Sequence, residues 1–340
     1  MSGLRGARVA LTLLSPGYRR IRHLAVCMRP IRHYSHRCVN SAGPTNQGID
    51  MVASTSAAQW KQSQKALHNE VRRVTTLMRS ISEPEVPAVG LWNIAEVAMH
   101  LSQVWMVVPG LARRDLSRIH AVVPGMAGVA GDSWIRDIWD HADSTTLAVR
   151  SDPERDLAVL ADRIEKSAQE YLGECAGHSP DESRTWLVEG TTVPLSALTG
   201  HLLNETVMHG YDIAHAAGRK WRIEPARAAM VVRQFFVPLI ETCGPGTFVN
   251  AEQAAGLQAT YDIRVRGGDR LNYIFDDGAL TVEEPSTHRV DCHISADPAA
   301  FLLVFWQRRS QWNAIAKGQL MAWGRKPWLG LKFRSLIRNP

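Results

Sequence analysis

Three hundred and forty residues, 45% hydrophobic and 21% charged, suit a globular chain of about two domains with a sizeable core. The net charge of +6 is not spread over the chain: residues 1–50 hold eight Arg and no Lys against Asp50, leaving 31 Lys+Arg against 32 Asp+Glu, so no nucleic-acid-binding basic face belongs to the fold. Five widely spaced cysteines with no Cys-x-x-Cys pair point to reduced thiols in a cytoplasmic setting and exclude a disulfide scaffold or zinc ribbon.

Residues 1–50, with Arg19, Arg20, Arg22, Arg29, Arg32 and Arg37, are Arg-rich and acid-poor like a transit peptide, but the longest apolar run, Val9 to Leu14, is too short for a secretory core or a membrane span. Trp60, Leu67, Val71, Val74, Met78 and Ile81 fall on one stripe and predict an amphipathic helix over 56–81. A second, largely apolar helix is predicted over 91–112, carrying His100 in its middle. Pro124, Gly125, Gly128 and Gly131 break the pattern, and Trp134, Ile138 and Trp139 suggest a short apolar helix. Pro153 begins a third long helix, 153–173, and Glu189-Gly190 between Arg184–Val188 and Thr191–Val193 signals a hairpin. Pro194 suits the first turn of a fourth helix running to about Ala217, with Gly218 as its stop.

Pro225 opens a further helix, 225–242, and from 256 the period changes to that of strands. Ala259-Tyr261-Ile263-Val265 alternates, Leu271-Tyr273-Phe275 and Leu280-Val282 follow around Gly267-Gly268 and Asp276-Asp277-Gly278 turns, and Val290 to Ile294 is another strand. Asp297-Pro298 caps a helix holding Phe301, Leu302 and Phe305. Trp306, Trp312, Trp323 and Trp328 crowd the last segment, a density that predicts filling of a small core rather than a ligand tunnel. The expected class is α+β: a helical bundle followed by a small α+β domain.

Glu205 and His209, at i and i+4, share one helix face, where a carboxylate and an imidazole can hold one divalent metal. A bare Glu-x-x-x-His is usually a surface charge and a satisfied histidine, so the argument needs His100, a histidine in the middle of a separate apolar helix. His100, Glu205 and His209 would make a His₂Glu set of the kind that holds catalytic zinc with one position free. His201 competes as a ligand, but His201, Glu205 and His209 span two turns of one straight helix and converge poorly on an ion. Asp212 either orients His209 or is a helix-surface charge. Arg308 and Arg309 either reach this site to hold a carboxylate or end their helix as a solvated pair. Cys243 has no base nearby in sequence and reads as an inert thiol.

Trp92 to Leu101 resembles the Trp-x-(two or three)-Asp/Glu-Val-x-x-His-Leu signature of the mycothiol-dependent maleylpyruvate isomerase family, a branch of the DinB-like metal-binding four-helix proteins. Glu205 to Gly218 resembles that family's Glu-x-x-x-His-Gly-Trp-Asp-Leu-Ala-x-Ala-x-Gly signature, with Tyr211 in place of Trp and His215 in place of Arg. Asp291 to Asp297, Ala314 to Gly318, Trp323-Gly324 and Pro327-Trp328 resemble the sterol-carrier-like α+β domain that often follows. The resemblance implies a DinB-like bundle over 54–220, a helical connector over 221–250 and a sterol-carrier-like domain over 251–340. It also implies a bacterial source, in which an organelle address has no meaning, so residues 1–50 read as a disordered basic tail or an upstream extension of the reading frame.

The implied chemistry is a metal-activated thiolate, with zinc as the metal and mycothiol as the thiol, attacking an electrophilic substrate as an isomerase or S-transferase. The expected partners are a small-molecule thiol and an electrophile, with no nucleic acid and no membrane, in a cytoplasmic monomer or weak homo-oligomer. The alternative is a non-catalytic metal-binding protein whose C-terminal domain holds a hydrophobic ligand.

Overall fold

Ser56 opens the first helix in this computed structural model, which describes residues 54–115, 117–122, 141–187 and 191–338. Its hydroxyl accepts from the Gln59 amide at 3.3 Å while the Gln59 side chain accepts from the Ser56 amide at 2.9 Å, a reciprocal cap that starts α1 (Ala57–Arg79). A short ribbon, β1 (Pro87–Val89) with β2 (Trp92–Asn93), leads into α2 (Ile94–Ala112). There follow α3 (Ser117–Val122), α4 (His141–Ser151), α5 (Leu157–Cys175), the antiparallel pair β3 (Ser183–Thr185) and β4 (Thr192–Pro194), and α6 (Leu195–Ala216). The basic N-terminal segment with Cys27 and Cys38, the expected short helix around Trp134 to Trp139 and the Glu189-Gly190 turn lie outside the described residues.

Two helix starts differ from expectation, both because a side-chain cap outranks periodicity. Asn93 accepts from the Glu96 amide at 2.9 Å, so Leu91 stays in a turn, Trp92 and Asn93 are extended, and α2 begins at Ile94. Asp156 accepts from the Ala158 and Val159 amides, so α5 begins four residues after Pro153.

Helices α1, α2, α5 and α6 pack on one another through the expected apolar stripes. Buried hydroxyls on α6 fix its position: Thr199 accepts from the Trp60 indole at 2.8 Å and lies 2.7 Å from the Tyr171 hydroxyl, and Thr206 accepts from the Trp105 indole at 3.1 Å. Each such bond contributes about 1 kcal/mol net, and leaving the buried indole unpaired would cost more. Helix α2 is long and apolar enough to cross a membrane, but 83% of its apolar window is buried within the protein, and packing among the other helices accounts for its composition.

The expected helix 225–242 is broken into α7 (Pro225–Val231), a π-helical turn (Val232–Phe236) and α8 (Val237–Thr242). Pro238 has no amide to donate to Gln234, and its ring crowds that carbonyl. The backbone widens just before it, with the Val237 amide donating to the Val232 carbonyl. Gly200 permits this turn to lie against α6: a Cβ there would stand 2.8 Å from the Gln234 carbonyl carbon.

After α9 (Ala251–Ala254) come β5 (Gln258–Val265), β6 (Arg270–Asp276), β7 (Ala279–Glu283) and β8 (Cys292–Ala296). Then α10 (Pro298–Phe305), α11 (Gln311–Ala316), β9 (Leu320–Trp323) and α12 (Leu329–Leu336) complete the described chain. The sheet order is β7-β6-β5-β8-β9, with β5 and β8 parallel and the other neighbours antiparallel. Asp277 and Gly278, both at positive φ, make the tight β6–β7 turn. The class is therefore α+β, as expected.

Tyr261, Tyr273 and Phe275 pack around Phe333 of α12 and fill the sheet's core. The expectation that the tryptophans fill it is corrected: Trp312 and Trp328 are 60% and 58% exposed, Trp323 is also exposed, and Trp306 turns toward the helices. Rings from strand positions already occupy the space beneath α12.

Candidate metal centre

Two helices deliver the three ligand candidates. Helix α2 holds His100 at 8% exposure, and α6 presents Glu205 and His209 one turn apart. Glu205 Oε2 lies 3.4 Å from His100 Nε2 and 3.2 Å from His209 Nε2, and one candidate ligand atom from each of the three residues lies within 4.8 Å of the others. The His100 and His209 rings meet edge to face with centroids 4.8 Å apart.

Two of the three candidates, His209 and Glu205, are held from behind. His209 Nδ1 donates to Asp212 Oδ2 at 3.1 Å, which turns Nε2 toward Glu205. Asp212 in turn accepts from Arg308 Nε at 3.0 Å and Nη2 at 2.9 Å, a two-pronged ion pair from beyond α10. Gln307, at φ 59, makes the left-handed turn that precedes Arg308. Glu205 Oε1 accepts from Asn204 Nδ2 at 3.0 Å, and Asn204 Oδ1 accepts from the Trp306 indole at 2.8 Å. Gly210 leaves room for Trp221, whose ring would otherwise strike a Cβ at 2.4 Å.

The electrostatics suit a cation. Burial opposes the Glu205 charge, but the His100 and His209 contacts prevail and hold its carboxyl well below the ordinary value. Burial pushes His100 down and keeps it neutral. For His209 burial also opposes charge, yet Asp212 and Glu205 raise it to about 9, so without metal it carries a proton between itself and the carboxylate. Two imidazole nitrogens aimed at one ionised carboxylate oxygen, with a proton in their midst, match the donors a divalent ion requires.

The other candidates separate. His201 lies 3.7 Å from Glu205 through Nε2, leaves its buried Nδ1 without a partner, and stacks on Phe235 at 4.6 Å; it falls outside the set of converging ligand atoms. Arg308 reaches the site, whereas Arg309 donates to Gln319. His215 stacks on Tyr211. Burial pushes the thiols of Cys243 and Cys175 up to about 11 and that of Cys292 upward, so none of these is a ready nucleophile.

The centre opens on a cavity of about 310 Å³ whose walls include Trp186, Phe235, Phe236, Leu239, Phe305 and Ile337. Sequence reasoning missed Asn204 and Trp306, which carry no spacing signal, and Phe235 and Phe236, which the π turn places there. Pro238 inside an apparent helix was the available clue to that turn.

Residues 52–214 match the mycothiol maleylpyruvate isomerase N-terminal domain family. Among solved structures, a mutant of the mycothiol-dependent maleylpyruvate isomerase aligns at 10% identity over 77% of this chain and 92% of its own, with a TM-score of 0.43. The unmutated isomerase aligns at the same identity and coverage with a TM-score of 0.40. A stereoselective inverting sec-alkylsulfatase from Pseudomonas sp. aligns at 14% identity over 68% of this chain and 32% of its own, with a TM-score of 0.26. No curated protein matches the sequence.

Proposed function

We propose, from the premise that the chain belongs to the mycothiol maleylpyruvate isomerase family through its domain at residues 52–214, that it is a metal-dependent enzyme using mycothiol as a thiol cosubstrate, acting as an isomerase or S-transferase. The observation that carries the reading is the convergence of His100, Glu205 and His209 from two helices at the mouth of a buried cavity. A divalent cation held there, zinc by its donor set, would lower the pKa of a thiol at its free position toward neutrality.

The chain's own residues prepare that role. His100 is neutral and available as a ligand, Glu205 supplies the negative charge, and Asp212 fixes the ring of His209. Aromatic and aliphatic side chains make up much of the cavity wall and would limit water around a bound thiol, and the raised thiol pKa values of Cys175 and Cys243 favour a nucleophile from solution. In this reading residues 54–220 form the metal-binding bundle, 221–250 connect, and the sterol-carrier-like segment 251–340 contributes Trp306 and Arg308 to the site.

The test is consumption of maleylpyruvate, or of a reactive thiol acceptor, by the purified protein with mycothiol. Turnover should require the thiol, disappear on chelation and return with zinc. Turnover indifferent to chelation would overturn the metal-dependent reading, and turnover without thiol the mycothiol-dependent one.

A further inference from the structure

We propose that the sheet-containing C-terminal domain carries a second ligand site, apart from the metal centre, which takes a single-chain amphiphilic carboxylate with its apolar chain between the sheet and α12 and its head against Arg334. The proposal is independent of the thiol-transfer reading.

A cavity of about 460 Å³ lies between the sheet and its helices, with Ile294, Phe301, Phe333, Met321, Trp328 and Leu331 in its wall. That volume falls within the roughly 300–1,000 Å³ of small-molecule sites. Trp328, Met321 and Leu331 are 58%, 55% and 42% exposed, so this cavity presents large apolar surface that the fold itself does not cover.

The wall has one charged residue, Arg334. Its Nε donates to the Val304 carbonyl at 3.3 Å and its Nη1 to the Ile337 carbonyl at 2.7 Å, which leaves Nη2 without a protein partner. Both acceptors are neutral, and burial, with no acid to offset it, pushes the guanidinium pKa down. The same residue borders a broader, open basin lined also by Arg309 and Arg338, with no Asp or Glu in its wall. Arg309 again has a neutral partner, the Gln319 side-chain oxygen at 3.0 Å. Val304, Gln311, Arg334 and Ile337 line both spaces, so the apolar cavity and the cationic basin meet at Arg334.

An apolar interior with a cationic mouth selects the ligand's chemistry. A neutral chain would cover part of Arg334 without pairing it, a cationic amphiphile would be repelled there, and a small anion would leave the apolar wall uncovered. A carboxylate on an alkyl chain meets both demands: its oxygens accept from the guanidinium, and its chain contacts the wall.

The experiment is calorimetric titration of the purified chain with decanoate below its aggregation concentration, beside acetate and decyltrimethylammonium. Decanoate should saturate one site per chain, and decyltrimethylammonium should bind roughly tenfold more weakly or worse. Acetate should show no saturable binding over the same range. Arg334→Gln should weaken decanoate binding by roughly tenfold, while Arg308→Gln, in the wall of the metal-centre cavity, should leave it unchanged. Should Arg334→Gln not fold by circular dichroism, the three ligands on the wild-type and Arg308→Gln proteins decide. No saturable decanoate binding would overturn the proposal. So would equal binding of the two ten-carbon amphiphiles, which would reduce the cavity to an unselective apolar surface, or acetate binding as tight as decanoate, which would make the basin a plain anion site. A folded Arg334→Gln protein with wild-type decanoate affinity, or a loss of decanoate affinity in Arg308→Gln, would likewise overturn it by removing the carboxylate from Arg334.

Discussion

Replacing Asp212 with Asn tests whether the pair behind His209 tunes the centre. In the native chain Oδ2 is shared by His209 Nδ1 and Arg308 Nη2, and Oδ1 receives Arg308 Nε, so both carboxylate oxygens accept from donors. An amide of the same shape has one oxygen. Whichever way it turns, its NH₂ faces a guanidinium N–H, and in the orientation that puts nitrogen at the Oδ2 position it faces the imidazole as well.

Losing a partner behind a metal ligand typically lowers metal affinity by about 10–100-fold. That corresponds to about 1.4 to 2.7 kcal/mol. Breaking a fully buried ion pair costs roughly 3–5 kcal/mol of stability. Arg308 keeps 22% of its side-chain surface exposed, so solvent screening places the loss below that range. Arg308→Gln leaves the His209–Asp212 bond in place and should change metal affinity less than Asp212→Asn does. The assay is competition for zinc against a chromogenic chelator, run beside circular dichroism. A folded Asp212→Asn protein with wild-type affinity would refute the reasoning.

His201→Phe should retain the metal and change stability by less than about 1.5 kcal/mol, because it removes an unpartnered buried nitrogen and keeps the stack on Phe235, whereas His100→Ala should lose the metal; metal analysis with the opposite ranking would reverse the ligand assignment. In the metal-free chain the pKa of His209 is raised to about 9 from 6.5, so the stability it contributes is complete below pH 6.5 and lost as pH rises through about 9. Metal binding near neutral pH should therefore release about one proton, read by calorimetry in buffers of different ionisation heat, and binding without proton release would contradict this. Gly200→Ala should lower stability by about 1–3 kcal/mol, since the obstacle is the Gln234 backbone and not a flexible side chain; an unchanged melting temperature would count against the close approach of α6 and the π turn.

Much of this arrangement was legible because it depends on short-range periodicity. The stripes on α1, α2 and α6 and the alternation in β5 and β6 read directly from the chain, and the i, i+4 pair Glu205 and His209 needed only a histidine from an apolar helix to suggest a centre. What was not legible depends on long-range contact or on one residue's backbone chemistry. Asp212 and Arg308 are 96 positions apart, and nothing local in either announces the other. Pro238 reshapes a helix whose apolar pattern continues through it, which brings Phe235 and Phe236 to the cavity. The tryptophans near the C-terminus look like core by composition, yet Phe333 and three strand rings had already filled that volume.

The central claim is that His100, Glu205 and His209 hold a divalent ion, and Glu205 supplies the only negative charge in that set. The most direct measurement is the metal content of purified wild-type protein and of Glu205→Gln by elemental analysis, with circular dichroism to confirm that both are folded. The account predicts one divalent ion per wild-type chain and its loss from a folded Glu205→Gln protein. Equal metal content in the two proteins would contradict it.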